Sequence, residues 1–145
     1  MTRAEYGSGR VILARLPHNG VIPEEIQRVA EDFRIRMGVF TLVGALKRAK
    51  LAYYDQRRKE YKVLEVLGPH EIVSCVGNVS LYKRKPFVHA HIVLADEHGG
   101  TKGGHLLQGV VFAAELHLHE LSGPILERRP DRTTGLALWQ RSKLL

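Results

Sequence analysis

The chain has one cysteine in 145 residues, Cys75, which excludes an internal disulfide and any cysteine-built zinc module. No run approaches 18 uninterrupted apolar residues, and the opening MTRAEYGSGR has no apolar segment of the kind a signal peptide needs. The expectation is therefore a protein with neither leader nor membrane span, in the reducing cytoplasm. The glycines of Gly99–Gly104 do not form G-x-x-x-x-G-K-[ST], so no phosphate-cradling P-loop is present. No acidic pair is set out for carboxylate catalysis, and the sequence assigns no catalytic residue. Cys75 lies in an apolar setting (IVSCVG) that suits a small buried hydrophobe better than a nucleophile.

Acidic residues are the minority charge. Twenty-two Lys and Arg face 15 Asp and Glu, a net charge of +7 that favours anionic partners, either DNA or a small acidic ligand. The densest basic stretch holds Lys47, Arg48, Lys50, Arg57, Arg58, Lys59 and Lys62 against Asp55 and Glu60. The first six are the candidate nucleic-acid-binding residues, although a solvated face would look the same. With 44% hydrophobic and 26% charged residues, the composition is that of one globular domain able to bury a core unaided.

Residues 10–16 (RVILARL) read as a first strand, and Asn19-Gly20 as a turn. Pro23, Glu24 and Glu25 suit a helix start, and Ile26, Val29, Ala30 and Phe33 recur at the spacing of one buried helical face. Beyond Gly38 the pattern turns to strands: 38–46, 49–55, 61–67, 71–82, 86–95 and 109–121, with a Gly-rich loop over 96–104. The sum is an α+β domain, a largely antiparallel central sheet of about seven strands with one main helix. Residues 122–145, with five bases and two acids, read as a basic extension that packs across the domain or a neighbouring subunit.

His89 and His91 stand one residue apart on a predicted strand. Their side chains therefore share a face with their bases about 7 Å apart, close enough to converge on one ion. His105 follows Gly103-Gly104, where the backbone can turn sharply. Three neutral imidazoles suit zinc and leave its fourth position open, so His89, His91 and His105 are the candidate metal ligands; histidines hydrogen-bonded within the sheet are the plainer alternative. Glu115 is a candidate carboxylate behind them, if its strand adjoins theirs. His117 and His119 form a second same-faced pair without an evident third partner.

Taken together, 38–55 (GVFTLVGALKRAKLAYYD), 71–80 (EIVSCVGNVS), 86–94 (PFVHAHIVL) and 103–120 (GGHLLQGVVFAAELHLHE) resemble the plants-and-prokaryotes conserved (PPC) domain family, over about residues 8–121. The resemblance implies a sandwich-like domain around an antiparallel sheet, assembled as a homotrimer. It also implies zinc at His89, His91 and His105 and a DNA-binding or regulatory role of the kind ascribed to stand-alone prokaryotic members. Plant relatives carry an R-G-R-P AT-hook that this chain lacks; Arg128-Arg129-Pro130 is only a superficial echo. The helix, with Glu24, Glu25, Glu31 and Asp32 beside Arg28, is a poor fit to a DNA major groove. The alternatives are a zinc-dependent enzyme or small-ligand-binding trimer, and a trimerisation module in which zinc serves structure only.

Overall fold

A computed structural model describes residues 2–141. Nine strands and one helix follow in the order β1 (Gly7–Leu16), β2 (Val21–Ile22), α1 (Glu24–Asp32), β3 (Gly38–Asp55), β4 (Glu60–Val66), β5 (His70–Tyr82), β6 (Lys85–Ala95), β7 (Thr101–Ser122), β8 (Leu126–Pro130) and β9 (Ala137–Arg141). All belong to one sheet of order β4-β3-β7-β6-β5-β8-β9, with β1 and β2 on β7 and an additional β3–β5 pairing. That pairing closes β3, β7, β6 and β5 into a ring. Every pairing is antiparallel except β5–β8, so the sheet is mixed and has nine strands where about seven were expected.

The differences have local causes. The two strands expected at 38–46 and 49–55 are one, because β3 crosses the basic interruption by register shifts against β7 between Ala45 and Arg48. This lets one strand pair with β5 in its first half and β4 in its second. Gly44 is the pivot. Its φ is +131°, and a Cβ there would run into the Ala113 carbonyl. β7 likewise starts at Thr101, so the Gly-rich segment is partly strand.

Alternation along β3, β5, β6 and β7 sends Phe40, Leu42, Leu46, Val79, Ile92, Leu94, Leu116 and Leu118 to the inside of the ring. Helix α1 adds Ile26 and Ala30, with Val29 packed against them. Phe33 leaves that face: the helix ends at Asp32, Phe33 is exposed, and buried Ile35 takes over. Cys75 is in the core, and burial pushes its thiol up to about 12, the behaviour of an inert hydrophobe. The outer surface keeps apolar groups too, among them Leu13 at 75% exposure with Val11, Val39, Val43 and Val76. Among the described residues no helix is long and apolar enough to cross a membrane.

The extension contributes β8 and β9. β8 adds to the edge of β5 in parallel, and β9 pairs back on β8. Its described part packs across its own domain.

Candidate metal centre

Strand register builds the site. His91 lies opposite His105 across β6–β7 and opposite Val76 across β6–β5; Val76 faces Thr41, which faces His117, which faces Leu13. Directly paired residues point to one side of a sheet, so these six form a row on the outer surface. A second row runs from His89 through Asn78, Val39 and His119 to Val11. His89 and His91, two apart on β6, and His105 on the next strand thus meet at one end of the two rows. Gly104 lets the strands approach there, since a Cβ would come within 2.9 Å of the Ala52 carbonyl oxygen.

The three rings are mutually close, with centroids 5.3 Å apart for His89–His91, 5.1 Å for His89–His105 and 5.6 Å for His91–His105. One ring nitrogen from each lies within 4.8 Å of the other two. Nitrogens around a tetrahedral zinc stand about 3.3 Å apart, a difference that small ring rotations span. His105 Nδ1 is buried with no partner. Burial, then the charge of Arg128, hold the His89 ring down to about 4; burial foremost lowers His105. Both are neutral at pH 7, and each ring then has one lone-pair nitrogen; at His89 a metal and the Arg128 donor would compete for it unless the ring takes the other tautomer. The donor set, the orphaned nitrogen and the neutrality all fit zinc.

Behind the histidines sits Arg128 of β8, 8% exposed. Its Nε donates to Ser80 Oγ (3.1 Å), Nη1 to the Ala137 carbonyl (3.0 Å) and Nη2 to Asn78 Oδ1 (3.0 Å), with His89 Nδ1 at 3.3 Å from Nη2. The guanidinium lies over the rings of Phe87 and Trp139, each 5.3 Å away. Burial lowers its pKa, as expected of a cation out of water. Tyr61 of β4 stacks on His105 at 5.3 Å and 26°. Among the described residues no carboxylate joins the three histidines. The site therefore collects positive charge without an acidic counterweight.

Glu115 is not at the site. It pairs with Arg15 and Val43 and lines a surface groove with Leu13 and His117, because its strand adjoins β6 only through residues 101–105. His117 and His119 lie toward the far ends of the two rows, next to Leu13 and Val11, with His119 Nε2 2.9 Å from Ser8 Oγ. The basic stretch does not converge into one patch either. Lys47, Arg48 and Lys50 lie midway along β3, whereas Arg57, Arg58 and Lys59 lie at the β3–β4 turn, on the order of 20 Å further on. Lys50 pairs with Glu65 (3.2 Å), Arg58 with Glu60 (3.6 Å) and Lys62 with Asp55 (2.9 Å). Lys47 donates to Asn19 and Lys59 to the Arg132 carbonyl.

The residue that sequence reading missed is Arg128. Thirty-nine positions separate it from His89, and only the parallel β5–β8 pairing brings them together.

The fold is shared with known proteins. A crystal structure of a metal-containing protein from Archaeoglobus fulgidus superimposes with a TM-score of 0.93 at 38% identity, covering 97% of this chain and all of that one. A plant- and prokaryote-conserved protein from Pyrococcus horikoshii gives a TM-score of 0.92 at 40% identity, covering 99% of this chain and all of that one. The bifunctional protein GlmU of Synechococcus sp. (strain JA-3-3Ab) is 33% identical over 132 residues, 89% of this chain but only 20% of GlmU, so the chain spans a fifth of that relative's length. The model of the Plants and Prokaryotes Conserved (PCC) domain matches residues 3–122, and the chain belongs to that family.

Proposed function

We propose that this chain is a zinc-binding homotrimer that captures a small anionic ligand beside the metal. The observation that carries the reading is the convergence of three imidazoles next to a buried guanidinium, with no carboxylate among them. His89, His91 and His105 would hold the ion. A zinc ion held by them would supply Lewis acidity toward an oxyanion. Arg128 adds fixed positive potential beside His89, while Tyr61 covers His105 and shields it from water. A buried cation that has hydrogen-bond partners but no internal counter-charge is costly unless something neutralises it, and an anion from solution would do so. Assembly is supported by exposed Val11, Leu13, Val39, Val43 and Val76 on the outer surface that ends at the histidines, and the family resemblance makes a trimer the form proposed. A cytoplasmic setting fits a chain whose one cysteine is a buried thiol.

The test is metal content per chain, followed by anion titration of the cobalt-substituted protein. Wild type should retain about one metal ion per chain, and His89→Ala/His91→Ala should retain none. Azide or phosphate should perturb the cobalt visible spectrum of wild type, and Arg128→Gln should weaken that binding about tenfold or more. A wild type that takes up no metal overturns the reading. Metal uptake with no response to anions leaves zinc in a structural role.

A DNA-binding role is the second reading, and the +7 net charge favours it. The dispersal and pairing of the basic residues, together with the acidic helix, leave it with non-specific contacts only. Its signature is an affinity for duplex DNA that falls steeply with salt and drops in Arg57→Gln/Arg58→Gln. Binding that persists at high salt, or none at low salt, would exclude it.

A further inference from the structure

The β8–β9 hairpin is lightly attached and touches the histidine cluster from two directions. β8 pairs with β5 at two positions, Leu81–Glu127 and Tyr82–Arg128, and buried Leu126 anchors the base. At the tip the Tyr54 hydroxyl donates to the Thr134 carbonyl at 2.6 Å, and Lys59 Nζ to the Arg132 carbonyl at 3.2 Å. Between base and tip, Arg128 and Trp139 face each other across the hairpin and both donate to Ser80 Oγ at 3.1 Å. Arg128 reaches His89 directly. The tip reaches His105 through two stacked rings, Tyr54 on Tyr61 at 4.9 Å and Tyr61 on His105 at 5.3 Å.

The contact between Arg128 and His89 is incompatible with a metal on that ring. Nη2 of Arg128 can only donate, so at 3.3 Å His89 Nδ1 is the acceptor and Nε2 carries the hydrogen. If Nδ1 is the metal ligand, its one lone pair is no longer there for Arg128. If Nε2 is the ligand, the hydrogen moves to Nδ1 and points at another N–H. Either way the hydrogen bond is lost, and Arg128 is left beside a dication. Its other partners are a hydroxyl, a carbonyl and an amide, none of them anionic, so nothing offsets the repulsion. An oxyanion at the metal would supply the missing partner.

We propose that the β8–β9 hairpin is a strap that senses the metal centre: it loosens when a metal on His89 displaces Arg128, and docks again when a small oxyanion at the metal gives Arg128 a counter-charge. The inference rests on the reading above, that the three histidines hold zinc with an anion beside it. It adds that Arg128 opposes the metal alone and favours the metal together with its ligand.

Trp139 is the one tryptophan in the chain and lies against the Arg128 guanidinium, so its fluorescence reads the strap directly. The experiment measures acrylamide quenching of the full chain without metal, with one equivalent of zinc, and with zinc followed by phosphate. Metal content is assayed in each sample. Quenching should rise about twofold with zinc, as the hairpin opens locally, and fall back with phosphate. Tyr54→Phe removes the tip bond and keeps the ring; it should be more quenchable than wild type before zinc is added, with unchanged far-ultraviolet circular dichroism. Arg128→Gln should bind zinc at least as tightly as wild type, and its quenching should not respond to zinc. Bound zinc with unchanged Trp139 quenching overturns the strap and leaves the metal reading standing, whereas a wild type that takes up no zinc overturns both. A rise that phosphate does not reverse, or that persists in Arg128→Gln, overturns the strap as well.

Discussion

At the scale of single residues, His89 couples the candidate metal site to pH. Burial and the neighbouring Arg128 hold its pKa at about 4, against about 6.5 for a free imidazole. The folded protein therefore binds fewer protons than the unfolded chain between these values, and stability falls as pH drops from about 6.5 toward 4. Above 6.5 both states carry a neutral ring and the effect vanishes. Metal-free wild type should thus lose melting temperature on acidification through that window. His89→Phe, which has no titrating ring, should lose less, as thermal denaturation at stepped pH would show. Equal slopes in both proteins would place the acid sensitivity elsewhere. The same lowered basicity keeps the lone pair available to zinc at mildly acidic pH, where an exposed three-histidine site would already lose its metal to protons.

Secondary-structure elements explain how much could be read in advance. The helix was legible because Ile26, Val29 and Ala30 keep a 3.6-residue period, whereas Phe33, read as part of the same buried face, lies beyond the helix end and is exposed. The pairing of His89 with His91 was legible because strand side chains alternate strictly, and His105 because glycines flank it. What periodicity does not encode is register. The continuity of β3 through Lys47 and Arg48 depends on shifts in its pairing with β7, and the position of Glu115 depends on which part of β7 adjoins β6. Arg128 required the parallel docking of a five-residue strand, which has no local signature. Gly44 is where such hidden geometry becomes testable. Its left-handed φ and the Ala113 carbonyl in the way of a Cβ mean that Gly44→Ala should destabilise the fold by about 2–3 kcal/mol. The check is urea unfolding with an unchanged m-value. A loss under 1 kcal/mol would show that β3 can re-register around the added methyl.

For the whole molecule, the question is what covers the outer rows. Val11, Leu13, Val39, Val43 and Val76 expose apolar groups on one continuous surface that ends at His89, His91 and His105. Monomeric proteins rarely leave apolar patches of this kind in water, and burial against identical neighbours would remove them. In a trimer the open side of each histidine cluster would then face a subunit boundary, so that assembly and metal retention become linked: whatever binds only the assembled state stabilises it. Leu13→Lys/Val43→Lys places two charges in this surface without touching the core, since both side chains are exposed. Wild type should sediment as a trimer, and the variant should dissociate to folded monomers with unchanged far-ultraviolet circular dichroism. If assembly helps hold the metal, those monomers should also release zinc to a chelator faster than the trimer does. Dissociation with unaltered release would make the centre a property of each chain alone, and a variant that remains trimeric would move the interface to another surface.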